Sequence, residues 1–327
     1  MMSVTKPLVV ENLTIHYYTL EGIVKAVRNV SFSVERGESV CLVGESGSGK
    51  STIGLAIVGA LPANARIISG KILVSGVNVL ELDQKELEKI RGKEVSIIFQ
   101  DPAASFNPLF TIGQILSDVI KHKLGIDDKE KLKKKALEAL RIVGLPDPER
   151  VYNSYPHELS GGMLQRAAIA VAVSTNPKIL VADEPTTMLD VTLQAQILDL
   201  LQDLRKKLGL ALVFITHNLG VAATICDRIL VIYAGSTVEF GPVDEVLLNP
   251  LHPYTRKLIE CVPRSSVRVG RLKYIPGSLP DLRKLPPGCV FEPRCEEALE
   301  ICKMKPPELV EVKPGHFVAC HKYPNKR

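Results

Sequence analysis

Three short apolar runs, each closing on polar residues, predict an α/β fold built on an open sheet. Residues 38–44, Glu-Ser-Val-Cys-Leu-Val-Gly, read as a buried strand ending on glycine; residues 179–182 run into Asp183 and Glu184, and residues 210–215 into Thr216 and His217. A second observation is the strand, loop, helix unit formed where the first run meets a glycine-rich loop and then a helical apolar pattern over residues 51–61. A third is the texture of the rest of the chain. About residues 100–170 read as mostly helical, and from about Pro250 the apolar periodicity fades, with nine of the 22 prolines at or beyond Pro276. Ligands bind beyond the carboxyl ends of the strands in such sheets, so the three polar strand ends are expected to line one site.

Length and composition set the frame for these elements. At 327 residues the chain suits one large domain and a smaller one, and 46% hydrophobic with 24% charged residues is the make-up of a folded protein. A formal charge of +5 is a mild excess that does not by itself select nucleic acid or an anionic surface. No apolar run approaches the roughly 18 residues of a membrane-spanning helix. Residues 1–13 carry Glu11 and show no basic region followed by an apolar core, so no secretory signal is read there and a cytoplasmic location is expected. In that compartment the seven cysteines are not expected to form a disulfide framework. Cys41, Cys226 and Cys261 read as small buried hydrophobes.

The loop after the first strand is Gly44, Glu45, Ser46, Gly47, Ser48, Gly49, Lys50 and Ser51, the P-loop pattern, followed by Thr52. Its glycines let successive backbone N–H groups curl around phosphate oxygens, and the following helix adds its positive end. Lys50 is the candidate for the terminal phosphates of ATP and Ser51 for Mg²⁺. Asp183 is placed to hold Mg²⁺ beside the loop, and Glu184 to act as general base. Gln100 is a candidate for orienting water or Mg²⁺, and His217 for sensing the γ-phosphate.

Residues 159–166, Leu-Ser-Gly-Gly-Met-Leu-Gln-Arg, precede an alanine-rich helical pattern and resemble the signature motif of ABC ATPases. With the P-loop, Gln100, Asp183, Glu184, Asp190 and His217 in order, the resemblance covers roughly residues 8–250. It implies an α/β P-loop NTPase of the ABC type, with a mixed sheet, an inserted helical subdomain and a small loop-rich C-terminal cysteine module. The divisions are residues 1–255 for the nucleotide-binding domain, its helical subdomain at about 100–170, and residues 256–327 for the C-terminal extension. The signature also makes sense as a second anion site, because Ser160 can cap a helix whose free N–H groups, at Gly161 and Gly162, face phosphate. In the family two such domains pair head to tail and enclose each ATP between one P-loop and the other signature. The resemblance places Asp190 at that seam and Tyr17 on the adenine, with neighbouring Tyr18 an equal chemical candidate. Met188 and Asn218 depart from the alanine and aspartate common at their positions.

Longer stretches narrow the resemblance. Residues 99–102 and 106–109, 233–235 (Tyr-Ala-Gly) and 252–255 (His-Pro-Tyr-Thr) are similar to the ATPase subunits of bacterial dipeptide and oligopeptide importers. That family implies ATP hydrolysis by a pair of nucleotide-binding subunits, powering peptide import through two transmembrane permease subunits, with an external peptide-binding protein acting indirectly. A related, non-identical ATPase is the expected partner, the chain sitting peripherally at the cytoplasmic face of the membrane. Phe106 and Phe110 are expected at the permease surface, with internal packing as the alternative. A soluble ABC ATPase acting on nucleic acid or ribosomes is the competing reading. It commonly brings fused cassettes or a coiled coil, which this chain lacks, and no nucleic acid partner is expected.

Cys289, Cys295, Cys302 and Cys320 are separated by five, six and seventeen residues. Zinc usually takes at least one tighter pair, whereas a cluster of four irons and four sulfides accepts wider spacing. The resemblance likewise implies an iron-sulfur cluster (4Fe-4S) on these four cysteines, with zinc, or thiols without metal, as alternatives.

Overall fold

In the computed structural model the described residues are 6–262 and 274–324. Their strands, in chain order, are β1 (Leu8–Thr19), β2 (Gly22–Val34), β3 (Ser39–Val43), β4 (Ala65–Val74), β5 (Val77–Asn78), β6 (Val95–Ile98), β7 (Ile179–Asp183), β8 (Ala211–Thr216), β9 (Arg228–Tyr233), β10 (Ser236–Pro242), β11 (Val310–Lys313) and β12 (His316–Val318). The helices are α1 (Lys50–Ile57), α2 (Gln84–Ile90), α3 (Pro102–Ser105), α4 (Ile112–Leu124), α5 (Lys129–Ile142), α6 (Pro148–Asn153), α7 (Gly161–Val173), α8 (Val191–Leu208), α9 (Leu219–Ile225), α10 (Val243–Leu248), α11 (Pro253–Glu260) and α12 (Ile301–Met304).

The strands sort into two sheets, an antiparallel one ordered β2-β1-β4-β5 and a mixed one ordered β11-β12-β10-β9-β3-β8-β7-β6. Within the mixed sheet β9, β3, β8, β7 and β6 are parallel. Every residue of β3, β7 and β8 is buried, which suits a parallel sheet covered on both faces and explains why these strands read as unbroken apolar runs. Register fixes the site: Val43 lies opposite Thr216, Ile215 opposite Asp183, and Ala182 opposite Ile98. All four strands therefore end on one edge and release the P-loop, His217, Glu184 and Gln100 side by side.

The helical insertion spans α3 to α7, between β6 and β7 in the chain. Its surface helices keep apolar residues on one face: Leu132, Ala136, Leu137 and Leu140 of α5 are buried while its lysines stay outside. The C-terminal extension does not stand apart from the sheet, because β12 pairs with β10 and β11 with β12, so its last described residues lengthen the mixed sheet at the β10 edge. Among the described residues no helix is long and apolar enough to cross a membrane.

Candidate active site

The P-loop is held in place by close backbone contacts. Gly44 adopts φ +153° and a Cβ there would meet the Ile232 carbonyl oxygen at 2.2 Å; at Gly49, φ +101°, it would meet that of Ala26 at 2.3 Å. No side chain fits either position, so the loop packs down onto β2 and β9. Gly49 caps α1 without a side-chain bond, so no capping side chain takes up the first N–H groups of the helix. Beneath it the Lys50 ammonium donates to the Gly44 and Glu45 carbonyls at 2.8 and 2.9 Å. Burial lowers its pKa while the charges of Glu184, Asp183 and Glu45 draw it upward.

Beside the loop, the Ser51 hydroxyl donates to Asp183 Oδ1 at 3.0 Å. Burial pushes the Asp183 carboxyl up, opposed by the Ser51 hydrogen bond and Lys50 and reinforced by Glu184. The next residue takes φ +46°, an uncommon conformation for glutamate that turns the chain sharply at the strand end. Glu184 then lies within 3.1 Å of His217 Nδ1 through Oε2, which also accepts from Thr187 Oγ1 at 2.8 Å. Gln100 is exposed just beyond β6, the neighbour of β7. Tyr17 reaches the same loop, its hydroxyl 3.2 Å from Thr52 Oγ1, whereas Tyr18 points away and is exposed.

The signature residues stand on the insertion. Ser160 caps α7, its hydroxyl accepting from the Met163 N–H at 3.5 Å, and both Ser160 and Gly161 are exposed. Gly162 packs under Leu193 of α8, whose cap is Asp190, accepting from the Leu193 N–H at 2.9 Å. Met188 and Val191 flank Asp190 with 69% and 82% of their surface open, an apolar pair facing solvent beside the capping carboxylate. Asn218 caps α9 by accepting from Gly220 and Val221, so it preserves the capping an aspartate would provide. Phe110 and Phe99 are exposed, but Phe106 is buried in the insertion, so of the two phenylalanines expected at a partner surface one is core. Phe99, Ile97, Ile115 and Val119 line a groove of about 260 Å³ together with Arg91 and Lys123.

Three contacts to the site had no signal in the sequence. Thr187 anchors Glu184 from three residues on, and the Tyr254 hydroxyl accepts from the Glu45 N–H at 2.9 Å. The third is Arg294 of the extension, which forks the Glu45 carboxylate from 249 residues away. No local pattern marks a pairing of that separation.

The cysteines require two corrections. Among the described residues no group of three or more His, Cys, Asp or Glu is arranged to hold a metal ion, which overturns the iron-sulfur cluster and equally the zinc alternative expected on Cys289, Cys295, Cys302 and Cys320. All four are free thiols. Burial comes first among the causes that push Cys289 up to about 11 and raise Cys295 and Cys320, which favours protonated thiols, whereas a metal ligand must be a thiolate. Direct contacts hold this region instead: the Cys289 N–H donates to the Cys302 carbonyl at 2.7 Å, and Arg256 pairs with Glu297 at 2.7 Å. The second correction concerns Cys41 and Cys226. Both are buried as expected, but they are joined in a disulfide between β3 and the end of α9, their Cα atoms 5.8 Å apart.

A P-loop, a carboxylate pair at the adjoining strand end and an exposed signature helix define an ATPase of the ABC class. The sequence profile described as "ABC transporter" matches residues 27–187, and that described as "Oligopeptide/dipeptide transporter, C-terminal region" matches residues 238–302. The dipeptide transport ATP-binding protein DppD of Lactococcus lactis is 46% identical over 97% of this chain and 90% of its own length. The oligopeptide transport ATP-binding protein OppD of Bacillus subtilis is 45% identical over 97% of this chain and 89% of its own. Among solved structures, the dimeric bacterial ABC transporter cassette MJ0796 superposes with a TM-score of 0.65 at 32% identity, covering 72% of this chain and 98% of that one. The chain belongs to the ATP-binding subunits of ABC transporters, within the group related to the oligopeptide and dipeptide permease ATPases.

Proposed function

We propose that this chain hydrolyses Mg·ATP as one half of an ABC dimer and so drives peptide import through a membrane permease. The observation that carries the chemistry is the continuous row at the sheet edge, from Lys50 and Ser51 through Asp183 to Glu184 and His217. Oxygen donors of this kind suit Mg²⁺, with Ser51, Asp183 and Gln100 as the residues to hold it. When bound it neutralises charge on the transferring phosphoryl group.

Backbone N–H groups of residues 44–52 and the Lys50 ammonium bind and orient the phosphates, and Tyr17 packs on the adenine. Glu184 takes the proton of the attacking water; its Oε2 is held by Thr187 and His217, so the carboxylate is aimed before substrate arrives. His217 reports the γ-phosphate to this carboxylate. The N-terminus of α7, with exposed Ser160 and Gly161 followed by Gly162, serves the nucleotide of the partner, and the dimeric state of the related MJ0796 cassette supports that arrangement. Asp190, between exposed Met188 and Val191, lies at the seam. We read residues 1–255 as the nucleotide-binding domain and 256–327 as the extension shared with peptide importers. The expected assembly is a second, related ATPase chain and two permease subunits, fed by an external peptide-binding protein and held at the membrane through the permease. The groove beside Phe99 and the exposed Phe110 form the surface offered to that permease.

Glu184→Gln tests the chemistry. It is expected to retain Mg·ATP binding while turnover falls on the order of 10²-fold or more. Near-normal turnover in the variant removes Glu184 from the role of base.

A further inference from the structure

The P-loop carries an acidic residue, Glu45, on the edge that must receive a polyanion. Its carboxylate is not left to solvent. Arg294 donates through Nη1 to Glu45 Oε2 at 2.8 Å and through Nη2 to Oε1 at 3.0 Å, a two-bond fork. The other guanidinium bonds are also made: Nη1 to the Tyr233 hydroxyl at 3.3 Å, Nη2 to the Ile275 carbonyl at 3.1 Å and Nε to the Pro276 carbonyl at 2.8 Å. Only 5% of the Arg294 side chain is exposed. An arginine so completely bonded has one geometry, and it passes that geometry to the carboxylate.

Beneath the fork lies an aromatic block. The Tyr233 and Tyr254 rings are 4.6 Å apart, and Phe291 of the extension meets them at 5.1 and 5.4 Å. Tyr254 also binds the Glu45 N–H. The extension touches the site again further along: Leu279 packs at Gly47, the Lys25 N–H donates to the Leu282 carbonyl at 3.1 Å, and Arg283 pairs with Glu21. One segment of the extension thus runs along the rim from the β1–β2 turn to the phosphate loop.

We infer that the extension is a clamp on the nucleotide site, and that Arg294 is its positioning residue, acting on ATP affinity through Glu45. It does so in two ways: the fork fixes the start of the loop, and it neutralises a carboxylate that otherwise repels the phosphates. The inference rests on the assignment of residues 44–52 as the phosphate site.

The test is Mg·ATP affinity of the full-length chain, read by displacement of a fluorescent ATP analogue, for wild type, Arg294→Ala, Arg294→Lys, Glu45→Gln, the Arg294→Ala/Glu45→Gln double variant and Lys50→Ala. Arg294→Ala is expected to raise the Kd about tenfold, the scale of a lost charged hydrogen-bond pair, and Arg294→Lys to fall between because it keeps charge without the fork. The double variant is expected to bind no worse than Arg294→Ala, since the uncovered charge is gone. Should Arg294→Ala fail to fold, the lysine variant and its combination with Glu45→Gln carry the same comparison. Affinity within twofold of wild type for the Arg294 variants, or strictly additive effects at the two positions, overturns the clamp. Lys50→Ala separates the two layers of the argument. Normal binding in that variant overturns the phosphate-site assignment itself, whereas lost binding there with normal binding in the Arg294 variants overturns the clamp alone.

Discussion

Glu184 shows what a single position carries. Its φ of +46° is an uncommon conformation for a side chain with a Cβ, and it persists because the backbone N–H is tied to the Ile215 carbonyl at 3.0 Å and the carboxylate to Thr187 and His217. Replacing Thr187 by valine removes one of these ties without changing the volume much. With Glu184 as the proposed base and residues 44–52 as the proposed phosphate site, the expected result is a lower kcat with a nearly unchanged KM for ATP, because only the aim of the carboxylate changes. Tyr17 and Tyr18 separate in the opposite parameter. Loss of an aromatic stack costs roughly 1 kcal/mol, or about fivefold in KM, so Tyr17→Ala is expected to raise KM by that factor while Tyr18→Ala leaves it near wild type. Equal effects at both positions would withdraw the adenine assignment from Tyr17.

At the scale of elements, helix ends do most of the placing. Asp190, Asn218 and Ser160 each cap a helix through a side-chain oxygen, and in the proposed dimer Asp190 and Ser160 would also meet the partner chain or its nucleotide. Ser160→Ala distinguishes these uses. The cap bond is long, at 3.5 Å, so its loss is expected to cost only about 0.5 kcal/mol of stability by chemical denaturation. ATP turnover of the assembled transporter is expected to fall far more, on the order of tenfold, if the same hydroxyl and helix end serve the partner's nucleotide. A fall in turnover no larger than the stability change accounts for would make Ser160 a cap and nothing else.

For the whole molecule, the junction between sheet and extension also sets a pH dependence. His252 is fully buried, its Nδ1 accepts from the Tyr254 N–H to cap α11, and its backbone N–H donates to Glu239 Oε2. Burial first, helped by Arg256, lowers its pKa to about 4. The unfolded chain takes up this proton near pH 6.5 and the folded chain does not, so the stabilisation is full above pH 6.5 and is lost as pH falls toward 4. The total is about 3 kcal/mol by the pKa difference. His252→Asn keeps an oxygen at the cap and removes the titration, so the decline in melting temperature between pH 6.5 and 4 is expected to be shallower than in the parent chain. An unchanged slope would show that the loss comes from other groups.

The P-loop, the Asp183-Glu184 pair and the signature were legible because each is a contiguous run whose chemistry depends on its own spacing. The three buried strands were equally plain, since burial on both faces leaves an unbroken apolar run with polar residues only at the end. The sequence by itself thereby determined the ABC class of this protein, the place of its P-loop between β3 and α1, and its helical insertion. It did not determine whether Phe106 faces outward, whether Cys41 meets Cys226, how the four late cysteines are disposed, or that Arg294 reaches Glu45. Only the tertiary structure decided these, because each depends on which distant segments pack together, and sheet order and loop closure, not local spacing, fix those pairings.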